Sequence, residues 1–96
     1  MKLRLGMSPI SWSNDDLPQL GGETSLQTCL VETREAGFTG TETGGKFPKD
    51  AAALSAVVGA HDLALVSGWY SGTLINNSLE GELECIAEQL SLFKQC

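Results

Sequence analysis

With 96 residues, 42% of them hydrophobic and 19% charged, the chain has the composition of one small globular domain rather than a disordered segment. Its net charge of -6, with six Lys and Arg that do not cluster, argues against a phosphate backbone as partner. No apolar run reaches the ~18 residues of a membrane helix, and Met1-Lys2-Leu3-Arg4-Leu5 lacks the apolar core of a signal peptide, so nothing indicates export. Three cysteines, Cys29, Cys85 and Cys96, form no CxxC pair, and an odd count is most simply read as reduced thiols in the cytoplasm.

The first predicted element is a strand from Lys2 to Ser8, with Leu3, Leu5 and Met7 on one side of the pleat. Pro9, which has no N–H to donate, ends it. Ile10 to Gly22 is then a loop, longer than most strand-to-helix connections and so a candidate functional segment. Thr24-x-x-Gln27 fits a capping box ahead of a helix whose Leu26, Cys29, Leu30 and Thr33 share a face. Gly37 supplies the left-handed stop and Phe38 the apolar contact back onto the last turn.

A short strand over Gly40 to Thr43 follows, and then the loop Gly44 to Lys49. Asp50 caps a second helix, with Leu54, Val57, Val58 and His61 on one face. Leu63-Ala64-Leu65-Val66 has no polar residue on either side of its pleat, the pattern of a parallel strand covered on both faces. It runs directly into Ser67-Gly68-Trp69-Tyr70-Ser71-Gly72, where small residues permit close approach and two rings can wall a pocket. Ser78 caps a third helix with Glu80 and Glu82 in its first turn, where the dipole favours anions, and Leu79, Leu83, Ile86, Leu90 and Phe93 are its predicted buried stripe.

The order β-α-β-α-β-α predicts an α/β fold of parallel strands joined by helical crossovers. Parallel sheets of three strands are rare, and a closed (β/α)8 barrel takes roughly 250 residues. Residues 1–96 therefore read as the first three βα units of a TIM barrel, an incomplete barrel within a single domain. A small open α/β domain completed by oligomerisation is the competing architecture.

Gly40-Thr41-Glu42-Thr43-Gly44-Gly45-Lys46-Phe47 nearly matches the phosphate loop G-x-x-x-x-G-K-[ST]. Phe47 offers no hydroxyl to a magnesium ion, Pro48 removes a donor, and Glu42 would put a negative charge beside the phosphates. What survives is Glu42 and Lys46, an acid and an amine at the end of one strand, where barrels place their chemistry. His61, the only histidine, falls at the opposite end and is read as structural. Asn14-Asp15-Asp16 is read as a solvated loop rather than a cation site, since one loop's oxygens do not make a divalent site. Trp12, Trp69 and Tyr70 follow strand ends and are read as pocket walls, and Cys29 as a small core residue.

Pro9-Ile10-Ser11-Trp12-Ser13-Asn14-Asp15-Asp16-Leu17-Pro18, Leu20-Gly21-Gly22-Glu23-Thr24, Lys46-Phe47-Pro48 and Leu65-Val66-Ser67-Gly68-Trp69-Tyr70-Ser71-Gly72 resemble the N-terminal third of the myo-inosose-2 dehydratases. These are cytoplasmic enzymes of inositol breakdown in the xylose-isomerase-like TIM-barrel superfamily. The family favours asparagine where this chain has Gly45.

The resemblance implies a lyase that takes water from 2-keto-myo-inositol to give a trihydroxycyclohexane-dione, with manganese or cobalt and glutathione as cofactors. It implies metal ligands on later strands, outside this chain, and a possible homo-oligomer. Lys46 and Glu42 are then the candidate catalytic residues, and Trp12, Asn14, Trp69 and Tyr70 the candidate substrate contacts. A sugar isomerase or epimerase on the same barrel is the alternative enzyme. A truncated chain that needs a partner to fold is the non-enzymatic one.

Overall fold

The computed structural model describes residues 2–96, and its fold is α/β as expected. β1 (Gly6–Met7), α1 (Leu26–Glu35), β2 (Gly40–Glu42), α2 (Ala51–Ala60), β3 (Ala64–Ser67) and α3 (Leu79–Gln95) follow in order, with 3-10 turns at Pro9–Ser11 and Leu74–Asn76. The strands form one parallel sheet in the order β1-β2-β3, in register Gly6 to Gly40, Met7 to Thr41, Gly40 to Ala64 and Thr41 to Leu65. A bulge between Thr41 and Glu42 then brings Glu42 level with Ser67.

Local sequence sets most of the boundaries. Asp50 Oδ2 accepts from the Ala53 N–H and Ser78 Oγ from the Gly81 N–H, so both predicted caps form. The first helix starts one residue later than predicted. Ser25 is its cap, with Oγ 3.1 Å from the Thr28 amide, because the Thr24 carbonyl is drawn off to Lys46 Nζ. Gly37, at φ +97, ends α1 with the Gly37 N–H on Arg34 O and the Phe38 N–H on Thr33 O, the paired bonds of a Schellman motif. Asp62, at φ 56, closes α2 the same way, with the Asp62 N–H on Gly59 O and the Leu63 N–H on Val58 O.

Leu30, Phe47, Leu54, Val58 and Leu63 form the buried core, flanked by Leu26, Val57, Leu65 and Leu92. Helices α1 and α2 and the outward residues of the sheet thus share one apolar layer. Leu54 and Leu30 are nearly inaccessible, and each stabilises the fold by about 1.5–3 kcal/mol through burial.

Three expectations need correction. The first strand is only Gly6–Met7, not Lys2–Ser8, and Leu3 and Leu5 are exposed. β3 is not covered on both faces: it is an edge strand, and Val66 is 60% exposed. Leu65 turns to the core while Val66 lies over Gly6 and Gly40, where added Cβ atoms would come within 3.0 and 2.7 Å of its methyls. The stripe predicted to bury α3 is also largely exposed at Leu79, Leu83, Ile86 and Leu90, although Phe93 is half-buried. Helix α3 instead turns Glu82, Gln89, Leu92 and Phe93 inward. Among the described residues no helix is long and apolar enough to cross a membrane.

Candidate functional site

The C-terminal ends of the three strands feed three loops that close around a cavity of about 540 Å³. Its wall includes Asn14 and Asp15 from the loop after β1, Glu42 and Lys46 from β2 and its loop, Trp69 from the loop after β3, and Phe93 from α3. This is the end of a parallel sheet at which ligand sites are built.

The loop after β1 is held from within and from across. Asn14 Oδ1 accepts the amides of Asp16 at 2.9 Å and Leu17 at 3.1 Å, the turn a short amide side chain makes with its own backbone. Gly21, at φ +70, has no room for a side chain, since a Cβ would overlap Trp12 O. The Lys46 ammonium donates to Gly21 O at 2.9 Å, to Gly22 O at 3.4 Å and to Thr24 O. An ammonium has three protons to give, and here each has a carbonyl. The Gly45 N–H returns the contact by donating to Asp15 Oδ2 at 2.8 Å. Lys46 therefore ties two loops together while lining the cavity.

These bonds also explain the failed phosphate loop. The Gly45 amide, which would cradle a phosphate, is taken by a carboxylate, and Phe47 is buried in the core.

Glu42 is half-buried at the cavity, and Ser67 Oγ donates to its Oε1 at 3.3 Å across the bulge. Trp69 is 79% exposed; its indole N–H donates to Ser71 Oγ and its carbonyl accepts from Gln89 Nε2. A Cβ on Gly68 would lie 2.2 Å from Phe93 Cζ, so any side chain there would displace the ring that packs beneath the loop. Cys29 reaches the cavity wall from α1, and burial pushes its thiol above the usual range, which keeps it protonated and unreactive.

The structure thus brings Asn14, Glu42, Lys46 and Trp69 to one cavity, and does not bring Trp12 or Tyr70 there. The Trp12 indole N–H donates to Glu32 Oε2 on α1 at 2.5 Å. Tyr70 donates to Glu82 Oε1 at 2.6 Å. Glu82 is 5% exposed and also accepts from the Thr73 amide and the Thr73 hydroxyl, so one carboxylate anchors the loop after β3. The Tyr70 bond, with those from Thr73, holds the Glu82 carboxyl below its usual value, and the same bond pushes the Tyr70 hydroxyl up to about 12. His61 lies at the end of α2, with Nδ1 2.9 Å from Val57 O, and is no part of the cavity.

Sequence reasoning read Asp15 as part of a solvated loop and Glu82 as a helix-dipole partner, and gave neither them nor Gly45 a place in the site. The Gly44-Gly45 pair was the available signal, since consecutive glycines after a strand mark a close approach. Among the described residues no group of three His, Cys, Asp or Glu side chains converges.

No protein-family model matches the chain. It is 45% identical over 94 residues to a protein named rhizopine catabolism protein MocC from Rhizobium meliloti, covering 98% of this chain and 29% of that protein. It is 40% identical over 83 residues to an inosose dehydratase of Geobacillus thermodenitrificans, covering 86% of this chain and 28% of that one. An inosose dehydratase of Mesomycoplasma hyopneumoniae is 43% identical over 75 residues, with 78% and 25% covered. The chain spans less than a third of the length of the curated relatives it matches.

Proposed function

Because the chain belongs to the inosose dehydratase family, we propose that it contributes the first three strand–helix units of a barrel that dehydrates 2-keto-myo-inositol. Its likeness to proteins of that name along 86% of its length carries the reading. The uncovered β3 edge and the bare apolar stripe of α3 support the barrel, since further strand–helix units would cover both.

The chemistry is loss of a proton beside a ketone followed by departure of a β-hydroxyl. Glu42 takes the proton, and the C–H electron pair passes into the enolate. The Lys46 positive charge, fixed by its three carbonyls, offsets the charge that develops on the enolate oxygen. The enolate pair then forms the new C=C bond as the β C–O bond breaks, the carbonyl is restored, and the hydroxyl leaves as water with the proton that Glu42 had taken, which returns Glu42 to its carboxylate. Trp69 covers the C–H face of the ring and Asn14 contacts a hydroxyl; Trp12 and Tyr70 serve by fixing the outer loops. Manganese or cobalt, and glutathione, are proposed additions to the assay, with the metal's ligands supplied by later strands. The cytoplasm is the proposed compartment, supported by three unpaired thiols.

The test is turnover by the full-length polypeptide that carries these residues. Dione absorbance should appear on adding 2-keto-myo-inositol, and Glu42→Gln should lower kcat by ~10²–10⁴. An intact ketone alongside turnover of an open-chain sugar would favour an isomerase or epimerase instead. The likeness to a protein named for rhizopine catabolism favours a second reading, in which the ketone arises from that compound. Turnover of a rhizopine-derived ketone in preference to 2-keto-myo-inositol would favour that second reading.

A further inference from the structure

The loop after β1 carries an acid that the reading above leaves without a task. Asp15 has one carboxylate oxygen, Oδ2, fixed by the Gly45 N–H at 2.8 Å. The other, Oδ1, takes no hydrogen bond from any described residue, and Asp15 lines the same cavity as Glu42 and Trp69. The approach is possible only over a glycine. A Cβ on Gly45 would fall 2.7 Å from Asp15 Oδ1 and 3.0 Å from its Cγ, so any side chain at position 45 would displace the carboxylate. Gly45 does not have a positive φ, so glycine is required there for the approach of Asp15 and not for the backbone's conformation.

A carboxylate held on one oxygen and open on the other, at the wall of a cavity, is a preorganised acceptor. Its natural complement is a hydroxyl, and a polyol ring presents several. The cavity wall carries Asp15, Asp16 and Glu42 against Lys46 and Lys49, so its formal charges come within one of balance. We infer that Asp15 is a substrate-binding residue: Oδ1 accepts a ring hydroxyl of a cyclic polyol ketone, and Gly45 exists to let it do so. This rests on the polyol reading and adds a specificity-determining contact to it. Asp15 is exposed, so an analogue that lacks the hydroxyl leaves the carboxylate to water and forgoes one charge-assisted hydrogen bond.

The experiment is calorimetric titration of 2-keto-myo-inositol into the full-length polypeptide, alongside KM and kcat. In Asp15→Asn the amide oxygen can keep the Gly45 contact, while the NH2 group puts a donor where an acceptor is needed. Affinity should fall roughly tenfold or more, with the loss carried by KM and the thermal midpoint held. Gly45→Ala should weaken binding comparably, and the double variant should lose little more than either alone, because both remove one contact. Wild-type affinity in Asp15→Asn would overturn the inference, as would full additivity of the pair. A wild-type protein that binds the ketone without dehydrating it would sink the dehydratase reading alone, and one that does not bind it would sink both.

Discussion

Among single residues, Glu82 shows most clearly what a hydrogen-bond network does to an acid. A carboxylate 5% exposed beneath a loop is tolerated because Tyr70 and Thr73 supply its donors. Its folded-state pKa lies below the usual value of 4.5, with the Tyr70 bond as the largest cause. A depressed carboxyl pKa contributes stability above the unfolded value and loses it as the pH falls through the folded value. Tyr70, raised to about 12, works in the opposite direction: its contribution is present below its unfolded pKa and is lost as the pH rises through about 12. Tyr70→Phe should therefore lower the thermal midpoint at pH 7, and the gap from wild type should narrow when both are melted below the usual carboxyl range. A gap that stayed constant down to that range would mean the phenol acts by packing alone. Neither partner was assigned this role from sequence. Tyr70 and Trp12 read as pocket walls because each follows a strand end, yet the acids that claim them, Glu82 and Glu32, lie 12 and 20 residues away. Ring identity is legible in a sequence, whereas ring orientation depends on a partner that only the fold brings near.

At the level of elements, the legible features were those with a local cause. The stop at Gly37, the caps at Asp50 and Ser78, and the three βα units all follow from neighbouring residues. The cap of α1 shifted from Thr24 to Ser25, two adjacent hydroxyl residues that the local code does not separate. The link between the loops after β1 and β2 was not local. The sequence marks Lys46 as a candidate catalytic residue, and the fold sets its donors on the carbonyls of residues 21, 22 and 24. Lys46→Met keeps much of the stem and removes the ammonium, leaving those carbonyls to other partners. It should cost ~1–3 kcal/mol of stability in urea titration, and limited proteolysis should find the loop between β1 and α1 cut faster. An unchanged cleavage rate would show that the Asp15 contact holds the loop by itself.

The whole molecule has one well-made apolar layer and one unfinished side. The spacing of Leu79, Leu83, Ile86 and Leu90 announced an amphipathic helix, which is what α3 is. Which face meets the core was not legible, because a stripe says only that something covers it. Here it stands open beside the edge strand, with Leu83 at 56% and Leu90 at 51% exposure and Ile75, in the turn before α3, at 98%. A bare surface of this kind drives association. Light scattering should find the isolated 96-residue chain self-associated, and Leu83→Gln with Leu90→Gln should shift it toward monomer without loss of helix by circular dichroism. A monodisperse monomer before substitution would count against the barrel reading.

The hollow that Gly6 and Gly40 leave under Val66 binds the histories of three strands together. A methyl added at position 40 would fall 2.7 Å from a Val66 carbon, and β-branching gives that valine few rotamers into which it can retreat. Bulk added to β2 at position 40 displaces Val66, and bulk added to β1 at position 6 asks the same side chain to give by a few tenths of an ångström; a smaller residue at position 66 eases both. Strands contributed by distant parts of the sequence thus share one packing constraint.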